Sequence, residues 1–154
     1  MAVNQLRSDN RTGWIALALV AVFAIAAVVL TRPTAASTPS ALTGLMALKA
    51  AAQEAVPYEE AMNNPQPTVI EFYADWCTTC QAMAPTLDVL RQRNPGVNFV
   101  MLNIDDPQWR QQVQQFQVNG VPHLALLNSD RSLAGNLVGR APLQPLMERV
   151  ANLS

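Results

Sequence analysis

Two cysteines, Cys77 and Cys80, are the residues of this chain best suited to chemistry. They are the only cysteines in 154 residues, and they sit in the run Trp76-Cys77-Thr78-Thr79-Cys80. A bridge between them closes too small a loop to staple a fold, because the entropic gain of a disulfide grows with loop length. Their purpose is therefore chemical. An apolar run that reads as a strand precedes them, and a segment that reads as a helix begins at Cys77. At a helix N-terminus the first sulfur meets free N–H groups and the positive end of the dipole, which favour a thiolate. The second sulfur lies one turn further in, placed to attack a mixed disulfide formed on the first. The context predicts thiol-disulfide exchange, with Cys77 as nucleophile and Cys80 as resolving thiol.

Three other uses of the pair are weaker. A c-type haem attachment needs histidine directly after the second cysteine, where Gln81 stands. A zinc site needs more ligands, but there is no third cysteine and His123 is the sole histidine, so no metal is expected. Two inert buried cysteines sit poorly at a helix start beside Asp75 and Trp76. No cofactor is implied by the motif.

The elements that must position the pair are legible in the surrounding pattern. An alanine-rich helix is expected over Leu42–Ala55, then a short helix from Pro57, where proline suits the first turn. Asn63–Pro67 breaks it. Thr68–Tyr73 reads as a strand, apolar apart from Glu71. The helix from Cys77 should reach Arg93, with Pro85 inside it as a kink. Val97–Ile104 is a second strand whose nearly unbroken apolar run implies a place inside the sheet. A glutamine-rich helix covers Pro107–Phe116, solvated except around Val113 and Phe116. His123–Leu127 and Leu133–Val138 form a hairpin around Asn128–Arg131. Leu143–Leu153 is a closing amphipathic helix. The order β-α-β-α-β-β-α predicts an α/β fold, a mixed sheet with helices on both faces.

Ahead of this domain, Trp14 to Leu30 form 17 positions without a charge. At about 1.5 Å per residue that length approaches the roughly 30 Å hydrocarbon thickness of a bilayer. The organisation expected is a cytoplasmic tail (1–13), a single transmembrane anchor (14–31), a tether rich in Pro, Thr, Ala and Ser (32–41) and the domain (42–154). A cleaved signal peptide is the competing reading, with Thr34-Ala35-Ala36-Ser37 as its small-residue site. The apolar run exceeds the usual 7–15 residues of such peptides, which favours the anchor. Arg7 and Arg11 precede the run and only Arg32 closely follows it, so the N-terminus is expected in the cytoplasm and the domain across the membrane. A net charge of −1 and unclustered basic residues argue against nucleic-acid binding.

The domain also resembles a family. Glu71-Phe72-Tyr73-Ala74-Asp75-Trp76-Cys77, the run Leu102-Asn103-Ile104-Asp105, Gly120-Val121-Pro122 and Val138-Gly139-Arg140 are similar to thioredoxins. Closer still, these segments with Val97–Asn103, Val121-Pro122-His123 and Gly135–Arg140 resemble the membrane-anchored thioredoxin-like proteins of cyanobacteria and plant thylakoids. The resemblance implies a thioredoxin fold facing a thylakoid lumen or periplasm. It implies reduction of disulfide-containing proteins, including apocytochromes during cytochrome b-f assembly, with electrons from a membrane thiol transporter of the CcdA type. By the same resemblance Pro122 is a cis-proline facing the disulfide, and Val121 offers backbone hydrogen bonds to a bound peptide. Trp76 gives a flat docking surface. Glu71 takes the place of the buried acid beneath the inner cysteine, and burial would raise its pKa toward neutrality, suiting a proton acceptor. Three positions depart from ordinary thioredoxins: Thr78-Thr79 for Gly-Pro, Met101 for a lysine near the buried acid, and His123 for threonine. His123 is read as a packed strand residue. A disulfide donor and an anchored binding module without turnover are the rival functions.

Overall fold

The computed structural model describes residues 41–154; the expected tail, the anchor and nearly all of the tether lie outside the described residues. Among the described residues no helix is long and apolar enough to cross a membrane. The elements in order are α1 (Ala41–Glu54), α2 (Tyr58–Asn63), β1 (Thr68–Tyr73), α3 (Thr78–Arg93), β2 (Asn98–Asn103), a 3₁₀ turn (Pro107–Trp109), α4 (Arg110–Gln115), β3 (His123–Leu127), β4 (Leu133–Val138) and α5 (Leu143–Ala151). The expected helix over 107–116 is thus divided. Asp106 accepts the Gln108 N–H and Pro107 fixes the first position, which winds the opening turn tightly before the α-helix begins.

The sheet runs β2-β1-β3-β4. β1 pairs parallel with β2, opposing Glu71 to Met101, and antiparallel with β3, opposing Glu71 to Leu124. The order corrects one expectation: β2 is an edge strand rather than an interior one. Its apolar run has another cause, since both faces are covered and the Val56 N–H reaches over to the Phe99 carbonyl at 2.8 Å. A covered edge needs the same residues as an inner strand. The open edge is β4, whose side chains are mostly exposed.

Alternation along the strands sorts the core into two faces. Val69, Leu124 and Leu126 meet Met83, Leu87 and Leu90 of α3 and Leu146 and Val150 of α5. Ile70, Phe72, Val100 and Leu102 meet Ala61 of α2 and Phe116 just past α4. A third cluster joins Leu48 of α1 to Tyr73, Ala74, Cys77, Cys80 and Ala84. Leu48 is fully buried there, so α1 is part of the layer that holds the cysteines. Close approach of α1 to α3 requires Gly44: a Cβ at that position would stand 3.0 Å from the Gln81 Cβ. α3 runs unbroken through Pro85.

Candidate redox site

Cys77 is the N-cap of α3, with extended backbone, and its sulfur accepts the Cys80 N–H at 3.0 Å. This is the orphan-donor geometry every helix start offers, filled here by sulfur in place of a hydroxyl. Cys77 and Cys80 form a disulfide with Cα atoms 5.2 Å apart. Cys80 is fully buried and Cys77 is 6 % exposed, so of the two only the outer cysteine offers a substrate any surface. Neither Thr78 nor Thr79 donates its hydroxyl to that sulfur; its polar neighbours are the Cys80 N–H and the Val121 carbonyl.

Val121 and Pro122 come from the loop before β3. Their peptide bond is cis, in line with the resemblance, and the Val121 oxygen lies 3.6 Å from Cys77 Sγ. Pro122 accepts the Gly139 N–H at 2.8 Å, which ties the end of β4 to this loop. Gly139 has φ +85°, a left-handed conformation that suits glycine. Trp76 is 65 % exposed, so the expected docking surface is open to solvent beside the disulfide.

Glu71 is 3 % exposed in the middle of β1, between β2 and β3. Burial pushes its carboxyl up to about 8. No charged neighbour contributes to that shift: Met101, opposite it in the register, cannot supply a cation. Its Oε1 has no hydrogen-bond partner among the described residues. It lines a cavity of about 30 Å³ walled by Ala51, Leu87, Arg91, Phe99 and Met101, room enough for a water molecule to meet the carboxyl. Cys80 is not among the cavity's lining residues, whereas Tyr73, on the same face of β1, packs with both cysteines.

Three supports escaped sequence reasoning. Trp76 Nε1 donates to Asp105 Oδ2 at 2.9 Å, which sets the indole plane. Gln81 Nε2 donates to the Asp75 carbonyl at 2.7 Å, which ties the loop before Cys77 to the helix after it. Lys49 of α1 donates to Asp75 Oδ2 at 2.5 Å. Asp105 lay within the Leu-Asn-Ile-Asp run, but nothing in that run says which side chain it holds. His123 is buried against Phe72, ring centroids 5.8 Å apart and edge-on, in keeping with a packed strand residue. Among the described residues no group of three or more His, Cys, Asp or Glu could hold a metal ion.

Comparison with known proteins agrees with this geometry. The chain is 46 % identical over 112 residues to the chloroplastic thioredoxin-like protein HCF164 of Oryza sativa subsp. japonica, covering 72 % of this chain and 43 % of that protein. It is 42 % identical over 109 residues to the thiol:disulfide interchange protein TxlA homolog of Synechocystis sp., covering 70 % and 61 %. The chain thus spans about half the length of the curated relatives it matches. Mitochondrial thioredoxin 3 of Saccharomyces cerevisiae, in its oxidized form, superposes with a TM-score of 0.52 at 31 % identity, covering 60 % of this chain and 83 % of that one. Residues 49–152 match the thioredoxin family, a span that takes in the cysteine pair, the cis-proline and every strand, and the chain belongs to that family.

Proposed function

We propose that the chain is a membrane-anchored thiol-disulfide oxidoreductase that reduces protein disulfides outside the cytoplasm through Cys77 and Cys80. One observation carries the reading: the more exposed cysteine caps a helix, and its sulfur takes an N–H at 3.0 Å and lies beside a cis-proline loop. The Cys77 thiolate attacks one sulfur of a substrate disulfide. That S–S bond breaks, and the second substrate sulfur leaves and takes up a proton. Cys80 then loses its proton and attacks Cys77. The mixed disulfide breaks, and the first substrate sulfur leaves as a thiol, so the substrate gains two electrons and two protons while Cys77–Cys80 becomes oxidised.

Glu71 serves as proton acceptor for Cys80 in this scheme. With its pKa near 8 it is about a tenth ionised at pH 7, and its basicity lies close to that of an ordinary thiol, near 8.5. Transfer between the two is nearly level in energy, in either direction. Trp76, Val121 and Pro122 form the docking surface for the substrate chain. The resemblance to lumenal relatives supports apocytochromes among the substrates and a membrane thiol transporter of the CcdA type as electron donor.

Trapping tests the reading. With Cys80→Ser nothing resolves the intermediate, so partner proteins accumulate as mixed disulfides on Cys77, and Cys77→Ser traps none. Equal trapping by the two variants would refute the division of roles. Failure of the native chain to reduce insulin disulfides would favour a binding module without turnover.

A further inference from the structure

α1 has two faces with different chemistry. Inward, Gly44 and Leu48 pack on α3 and on the cysteine cluster. Outward, Leu42 is 66 % exposed and Met46 64 % exposed. Ala50, also exposed, follows at the same spacing. Positions four apart stack on one side of a helix, so the three form a single apolar stripe. No acidic residue occurs from Ala41 to Gln53, and the one cation, Lys49, is paired with Asp75. Glu54 closes the far end, about 18 Å from Leu42 along the axis. Lys49, seven residues on from Leu42, shares that side with half of its side chain exposed, so the bare apolar surface is that of the first two turns, and large apolar side chains left in water together mark a contact site.

The chain itself indicates what covers the stripe. α1 starts at Ala41, and the apolar run that the proposed function reads as an anchor ends at Leu30. Residues 31–40 can extend to about 35 Å at most, so the first turn of α1 is held close to any bilayer that takes up that run. Tethering at that length gives a weak apolar contact a high effective concentration.

We propose that the outer face of α1 is a lipid-docking surface: Leu42 and Met46 enter the boundary between headgroups and acyl chains of the anchoring membrane. The inference rests on the anchored reading. The helix meets the membrane by its first two turns, with Glu54, paired with Arg91 of α3, at the end away from the lipid. Because Leu48 packs with Cys77 and Cys80, and Lys49 holds the loop that carries Trp76, docking α1 also fixes the redox edge at a set height above the lipid. The disulfide is thereby presented to partners that are themselves embedded in or tethered to the bilayer.

The test uses the full chain with Cys77→Ser and Cys80→Ser, reconstituted in phosphatidylcholine–phosphatidylglycerol vesicles. Met46→Cys carries an environment-sensitive fluorophore, and Gln108→Cys, exposed on the opposite face of the sheet, carries it as the control. The Met46 label is expected to shift to the blue and to be quenched by brominated acyl chains, and the Gln108 label to do neither. Adding Leu42→Ser should weaken the quenching at Met46. An unshielded Met46 label on a chain that floats with the vesicles overturns the docking alone. So does a label that is shielded but not quenched by brominated lipid, because protein then covers the stripe, whether a second copy or residues 1–40. A chain that does not float overturns the anchor and the docking together. Loss of insulin reduction by the native-cysteine chain, with quenching intact, sinks the redox reading and leaves the docking standing.

Discussion

Replacing Glu71 by glutamine should make the protein more stable at neutral pH and above, by an amount that grows with pH. The carboxyl's ordinary value is 4.5 and burial lifts it to about 8. Between those values the folded state holds a proton that the unfolded chain has released. An acid whose pKa is raised on folding therefore contributes stability at low pH that is lost as pH climbs, with a slope of about 1.4 kcal/mol per pH unit. From 4.5 to 7 the loss is about 3 kcal/mol, and by pH 8 it reaches about 4 kcal/mol, a large part of the roughly 5–15 kcal/mol that holds a domain together. Glu71→Gln is nearly isosteric and does not ionise, so it removes the slope. Its amide must still be buried, which costs about 1–3 kcal/mol if it finds no partner, but that cost is the same at every pH. Urea unfolding of the oxidised chain in mild detergent at pH 5, 6, 7 and 8 separates the two effects. Wild type should lose stability steadily across the series, while the variant changes little, and the gap should widen by about 1.4 kcal/mol per unit. Parallel curves for the two proteins, or a wild type that gains stability from pH 5 to 7, would refute the burial argument.

Kinetics should respond in the opposite sense: Glu71→Gln slows the resolving step, measured as decay of a preformed mixed disulfide on Cys77, and the wild-type rate climbs as pH passes through 8. Gln81→Ala frees the Asp75 carbonyl and loosens the loop that carries Trp76 and Cys77, so KM for a protein substrate should rise more than kcat falls, and Gln81→Glu, lacking the donor, should not restore it. Gly44→Ala gains about 1 kcal/mol of helix propensity but sets a Cβ 3.0 Å from Gln81, an overpacking cost of about 1–3 kcal/mol, so thermal unfolding should show a net loss. Protease added to the cytoplasmic face of sealed vesicles should leave residues 40–154 intact; digestion there would reverse the proposed orientation.

Local pattern carried most of the fold because each strand is a run of one chemical kind. Thr68–Tyr73, with its single charge, has the bounds read for it, and the hairpin strands do as well. What the pattern could not carry was neighbourhood. The apolar run of β2 fits an inner strand and a covered edge equally well, and Val56, which covers that edge, lies more than forty residues away in the chain. The cysteine pair was legible because that spacing at a helix start has one dominant use, and the burial of Glu71 because its strand is otherwise apolar, whereas the cis bond at Pro122 came from the resemblance alone. Asp105, Gln81 and Lys49 were not legible, since each is an ordinary polar residue whose role exists only once the end of β2, α3 and α1 converge on the loop at Asp75 and Trp76.

That convergence bears on the direction of electron flow. The Cys80 N–H at Cys77 Sγ stabilises a thiolate, but it is a backbone group that any helix start supplies, so it cannot distinguish a reductant from an oxidant. The distinction has to come from side chains. Thr78 and Thr79 are the nearest candidates, and neither hydroxyl reaches the sulfur. Had both done so, at about 0.5–1.5 kcal/mol each and 30 mV per 1.4 kcal/mol, the couple would have moved by roughly 20–65 mV toward the oxidising side. Lys49, the one cation held at this loop, gives its charge to Asp75. Glu71 adds nothing in that direction, since burial keeps its carboxyl largely protonated at pH 7 and its ionised form would disfavour a nearby thiolate. With nothing added to stabilise the reduced form, the potential should stay near the thioredoxin value of about −270 mV, well below the roughly −180 mV of the isomerases. Equilibration against glutathione reads it directly. A value more oxidising than about −180 mV would mean that side-chain donors absent from this geometry hold the thiolate, and the disulfide-donor reading would replace the reductase.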